Sequence, residues 1–151
     1  MIRNIHIKIN CFIIISTLLV IDQFFKNFIN TNYNKLINKD LLFFTLEYVK
    51  NNGAAFNILS GNRLLLSCIS ILSSIILIYL IFIKENNLVN KYGLSFILAG
   101  SLGNGLDRII DGYVIDFIKI RFINFPVFNL ADLSINLGVL ILIIGYLKYK
   151  T

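Results

Sequence analysis

Residues Leu64 to Ile83 form twenty consecutive residues without a charge. At about 1.5 Å per residue, a helix of that length reaches about 30 Å, the thickness of a bilayer's hydrocarbon core. One such run already restricts the chain to folds that place a helix in lipid. The composition agrees: 57% of the 151 residues are hydrophobic and 15% are charged. Soluble domains carry about 25% charged residues, so this chain lacks the polar groups to cover a water-exposed surface. A soluble enzyme, a disordered chain and a disulfide-stapled secreted domain are excluded. An integral membrane protein remains, read as one domain over residues 1–151.

Three further apolar stretches run over about residues 9–29, 92–107 and 129–147. The expected fold is an all-α membrane protein with four transmembrane helices. The first stretch exceeds the apolar segment of a cleavable signal peptide, lacks a small-x-small cleavage site and holds Asp22 and Lys26 near its far end. It reads as a retained helix. Four spans put the N-terminus, the middle loop and the C-terminus on one side, with Arg3, Lys8, Lys84, Lys91, Lys148 and Lys150 densely placed there. The other side has two long loops, about 30–63 and 107–128, where seven Lys and Arg are diluted among acids. The positive-inside rule makes the dense side cytoplasmic. Both termini are then inside and both long loops outside.

The formal charge of +6 fits topology, together with the drift of an AT-rich genome that the 29 Ile and 18 Asn suggest. No basic patch points to nucleic acid. The outer loops carry β-preferring runs at 41–50 and 113–121, which predict short strands at the membrane surface. Cys11 and Cys68 sit singly in apolar stretches and read as small hydrophobes. The single histidine, His6, lies in the N-terminal tail. Catalysis by Ser-His-Asp or Cys-His therefore has no base, and a His-rich zinc site has no ligands.

Ionisable groups within spans are expensive and are functional candidates. Asp22 and Lys26 lie one helical turn apart and can pair. A structural ion pair and a functional role both stand open for them. Asn104, Asp107 and Arg108 share a face at the end of the third helix, beside Gly100 and Gly103, and favour a buried network with Asp107 neutralised by Arg108. Asp116, among bulky apolar residues, and Asp132, at the start of the fourth helix, have no basic partner at helical spacing. Taken singly, Asp116 reads as a solvated loop acid and Asp132 as a helix N-terminal acid. Asn129 is placed to cap that helix or bind a carboxylate. Topology brings all of these, with Asn51, Gly53 and Phe56 of the first loop, to the outer end of the bundle. The cytoplasmic end carries only solvated Lys, Arg, Asn and one Glu.

Two close carboxylates cannot both ionise cheaply, so such a pair keeps one proton. One member can activate water while the other protonates a peptide carbonyl, which is aspartic-protease chemistry. Two rival chemistries remain. A Ser-Lys dyad would use Lys26 with Ser60 or Ser101. A small proton-coupled transporter or channel would need acids near the membrane midplane.

The segments Asp22-Gln-Phe-Phe-Lys26, Asn51-Asn-Gly-Ala-Ala-Phe56, Gly103-Asn-Gly-Leu-Asp-Arg108, Val114-Ile-Asp-Phe117 and Phe128-Asn-Leu-Ala-Asp132 occur in this order across the helices. In this the chain resembles the lipoprotein signal peptidases, or signal peptidase II. The resemblance implies that Asp116 and Asp132 are the catalytic pair. It implies supporting or substrate-contacting roles for Asp22, Lys26, Asn51, Gly53, Asn104, Asp107, Arg108 and Asn129. It implies a bacterial inner-membrane enzyme, and as substrate a prolipoprotein whose cysteine carries a diacylglyceryl group and is cut just before that cysteine. It further implies no cofactor or metal, a β-like cradle from the first outer loop over 41–56, and membrane lipid as the other partner. A monomer is expected.

Overall fold

The structure is a computed structural model that describes residues 2–36, 39–54, 58–85 and 87–150. Four helices alternate with two strands: α1 (Ile2–Leu36), β1 (Phe44–Asn51), α2 (Arg63–Tyr79), α3 (Leu88–Ile110), β2 (Val114–Ile120) and α4 (Leu130–Lys150). A π-helical turn, Leu80–Lys84, extends α2. Three helical stretches, Ile5–Leu36, Arg63–Lys84 and Leu130–Lys148, are long and apolar enough to cross a membrane. Helix α3 has 23 residues but is less apolar, because it is the inner helix. It packs against each of the other three, while α2 and α4 pack on it rather than on each other.

Every apolar stretch expected to be helical is helical, with different limits. Helix α1 was expected over 9–29 but has 35 residues. It contains neither Gly nor Pro, so nothing stops the helix where the apolar run stops. Asn87 caps α3 five residues before its expected start, accepting from the amides of Val89 and Asn90 at 2.9 and 3.3 Å. At the other end Gly112 (φ +87°) supplies the left-handed turn that ends α3. Arg63 covers that end by donating to the carbonyls of Arg108 and Ile109 at 2.8 and 2.6 Å. Lys91 is buried at 3% exposure, not solvated, because α3 is enclosed by its neighbours near its N-terminal end as well.

Close approach of α3 to α4 depends on glycine. A Cβ on Gly100 would collide with the carbonyl of Ala131, and one on Gly138 with the carbonyl of Gly93. Such small residues let helix backbones meet where lipid supplies no hydrophobic drive.

The strands form one antiparallel pair, Phe44 opposite Ile120 and Asn51 opposite Val114, with a bulge between Leu46 and Val49. The expected cradle of the first loop is thus built from both long loops. Phe128 bridges to the far side of β2 at Ile118, so the chain reaches α4 directly beside the sheet. Strand alternation sends Ile115 and Phe117 toward Ile29 of α1 and turns Asp116 to the opposite face. Ala55 and Phe56 lie outside the described residues.

Candidate active site

Helix α1 contributes Asp22 and Lys26, both at most 3% exposed. The Lys26 Nζ lies 2.8 Å from Asp22 Oδ2 and 2.6 Å from Asp107 Oδ2. It also donates to Asn104 Oδ1 at 2.9 Å. Asp107 therefore pairs with Lys26, not with Arg108 as expected. The reason is angular: consecutive helical residues diverge by about 100°, so Asp107 turns to α1 while Arg108 turns to the cavity. Arg108 instead donates to the carbonyls of Gly53 and Asn104 at 2.8 and 3.3 Å.

Lysine can only donate, so Asn104 must present its oxygen to Lys26. Asn129 Nδ2 donates to the same oxygen at 3.1 Å. The Asn104 Nδ2 is thereby aimed at Asp132 Oδ1, 2.7 Å away. A cation behind the site thus fixes which atom of Asn104 faces the acid.

Asp132 is set by the start of α4. The Asn129 side chain accepts from the Asp132 amide at 2.9 Å, and Asp132 Oδ2 accepts from the Asn129 amide at 3.2 Å. This is a reciprocal capping box, with Asp in the place usually taken by Glu. A third free amide of that turn, on Ala131, donates to Asp22 Oδ1 at 2.9 Å. Asp22 so caps α4 from α1. It needs Gly103 opposite, because a Cβ there would lie 2.6 Å from Asp22 Oδ2.

Asp116 is 3% exposed, a buried strand residue rather than a solvated loop acid. Its Oδ1 accepts from Asn129 Nδ2 at 2.7 Å and its Oδ2 from Asn51 Nδ2 at 2.9 Å. Asn51 is oriented by the Gly53 amide, which donates to its Oδ1 at 2.9 Å. Burial first, and the nearby Asp132 charge second, push the Asp116 carboxyl up to about 6 against the lowering effect of the two asparagines. Asn129 thus holds both acids, one by its side-chain nitrogen and the other by its own cap.

Both acids open onto a cavity of about 840 Å³, together with Asn51, Asn104 and Arg108. Asp22, Lys26, Asp107 and Asn129 stand behind this wall, and Gly53 joins it through Arg108. One connected network therefore holds Asp116, Asp132 and the eight residues expected to support them. The Ser-Lys alternative has no pairing: Lys26 is engaged by two carboxylates, and Ser101 bonds to Ser73 and Ser74 at 3.0 and 3.4 Å.

Three contributions escaped the sequence reading. Gln23 Nε2 donates to Asp107 Oδ1 at 2.8 Å, tying α1 to α3 beside Lys26. Arg63 caps α3 where it delivers Arg108. Ser70, Ser73 and Asn136 line the cavity. All but Arg63 are neutral, and a search for costly charges passes over neutral groups. For Asn136 the available signal was an amide inside an apolar run.

A family model described as signal peptidase (SPase) II matches residues 14–148. The lipoprotein signal peptidase of Lactobacillus johnsonii is 40% identical over 88% of this chain and 89% of its own length. That of Lactococcus lactis subsp. cremoris is 34% identical over 95% and 97%. Two solved bacterial membrane enzymes superimpose with TM-scores of 0.85 and 0.80, at 35% and 36% identity. They cover 94% and 92% of this chain and 90% and 93% of theirs. With its apolar helices, the chain is a bacterial membrane protein, and its sequence from the first helix to the last belongs to the signal peptidase II family of aspartic peptidases.

Proposed function

We propose that the protein is an intramembrane aspartic endopeptidase that removes the signal peptide from diacylglyceryl-modified prolipoproteins, cutting just before the lipidated cysteine. Asp116 and Asp132 are the catalytic pair. The observation that carries this reading is Asn129, which ties both carboxylates to one cavity wall. The pair shares one proton, whose macroscopic titration belongs to both groups. The ionised carboxylate takes a proton from water as the water oxygen attacks the scissile carbonyl carbon. The protonated one gives its proton to the carbonyl oxygen. Collapse of the tetrahedral intermediate breaks the C–N bond, and the departing amine receives a proton from the acid that took it from water.

The topology proposed with it has α3 as a fourth crossing, since 23 residues reach about 34 Å. Both termini are cytoplasmic in the inner membrane, the acid pair lies near the outer leaflet, and the chain is one peptidase domain working as a monomer. Exposed Phe12, Val20, Leu64, Leu72, Ile76 and Ile144 on the outward helix faces meet lipid.

Cleavage of a purified diacylglyceryl-modified precursor in detergent tests the reading. Asp116→Asn and Asp132→Asn should each lower turnover by at least about 10²–10⁴-fold. Thermal unfolding and elution volume should stay unchanged. A folded variant that keeps a near wild-type rate sinks the assignment of that acid.

A further inference from the structure

The cavity does not stop at the acid pair. It continues along the groove between α2 and α4, lined by Ile69, Ser73, Ser101, Ile135 and Asn136. Asp132, Ile135 and Asn136 form one face of α4, and Asn136 lies one turn, about 6 Å, beyond Asp132. Opposite it, Ser73 of α2 and Ser101 of α3 share a hydrogen bond of 3.0 Å. Among the described residues the Asn136 amide has no side-chain hydrogen bond, although it stands in an apolar helix. An amide is costly in hydrocarbon unless something there bonds to it.

We infer that Asn136, aided by the Ser73–Ser101 pair, binds the opened backbone of the substrate on the N-terminal side of the scissile bond. This rests on the proposed peptidase reading. A signal segment crossing the bilayer is helical, and its last turn must open to present one peptide bond to the acids. Opening leaves up to four carbonyls without partners, each costing several kcal/mol in lipid. A primary amide offers two N–H donors and one acceptor, the complement of a peptide unit. Extended chain advances about 3.4 Å per residue, so a 6 Å offset meets the second amide before the cut. When Ser73 donates to Ser101, the Ser101 hydroxyl is free to turn to the substrate and supplies a further donor.

The test is steady-state cleavage of the lipidated precursor. Asn136→Leu should raise KM about tenfold and leave kcat within about twofold, the mark of lost binding common to ground and transition states. Asn136→Ser, which returns a hydroxyl donor, should recover most of that loss. A substrate with an ester in place of the second amide before the cut should raise KM for wild type but not for Asn136→Leu, as coupling requires. If folded Asn136→Leu keeps a wild-type KM, or the ester affects both proteins equally, the inference fails. If Asn136→Leu does not fold, wild type decides alone, and an ester without effect on it overturns the inference. Wild-type protein that leaves the lipidated precursor uncut overturns the underlying peptidase reading, a separate outcome.

Discussion

Asn129 shows how much one neutral residue can carry. Its side chain bonds to Asp116, Asn104 and the Asp132 amide, while its own amide bonds to the Asp132 carboxylate. The asparagines around Asp116 set its proton affinity as well as its place. Asn51 donates to Asp116 and favours its charged form, so it helps hold down to about 6 a carboxyl that burial raises. Removing that donor must raise it further. In the proposed mechanism the pair works with one proton, so kcat/KM should fall on the alkaline side as that proton is lost. Asn51→Ala should move this limb to higher pH, by up to about one unit, in a pH profile of precursor cleavage. An unmoved limb would mean that Asp116 does not carry the titration. The charged members of the site were legible in the sequence because each is expensive in lipid and demands a reason. Their partners were less so: Lys26 takes Asp107 from its neighbour Arg108, a choice set by helix rotation that residue spacing does not reveal.

Helix α3 is the element on which the others are assembled. Its inner position explains why it is not among the stretches apolar enough to cross a membrane by composition: it meets protein on most of its surface and needs fewer apolar residues. Hydropathy marks where a helix meets lipid, not where it begins and ends, so α1 and α3 both exceed their apolar runs. Gly100 tests the packing directly. Gly100→Ala should push α3 and α4 apart at Ala131, beside Asp132, and cost at least the upper end of the ~1–3 kcal/mol typical of overpacking. A lowered thermal midpoint in detergent, with turnover reduced in the folded fraction, is the expected outcome. The strands were legible from their aromatic and β-branched runs, but their pairing was not. Residues 41–50 and 113–121 carry nothing locally that says they meet.

At the scale of the whole molecule, charge density in the short segments predicts the orientation. With Cys11 and Cys68 replaced, Lys39→Cys should react with a membrane-impermeant maleimide on intact spheroplasts. Lys148→Cys should react only after permeabilisation. The reverse pattern would invert the proposed topology and place the acid pair at the inner leaflet. The sheet has a further consequence, for biogenesis. Its strands belong to loops on either side of α2 and α3, and Asp132 belongs to the last helix made. During synthesis β1 waits for β2, and Asp116 waits for the cap that Asn129 provides. Before α4 is made, the proposed cutting site is therefore not assembled. On the proposed assignment, activity arrives only with α4, so the order of translation itself serves as a safety catch.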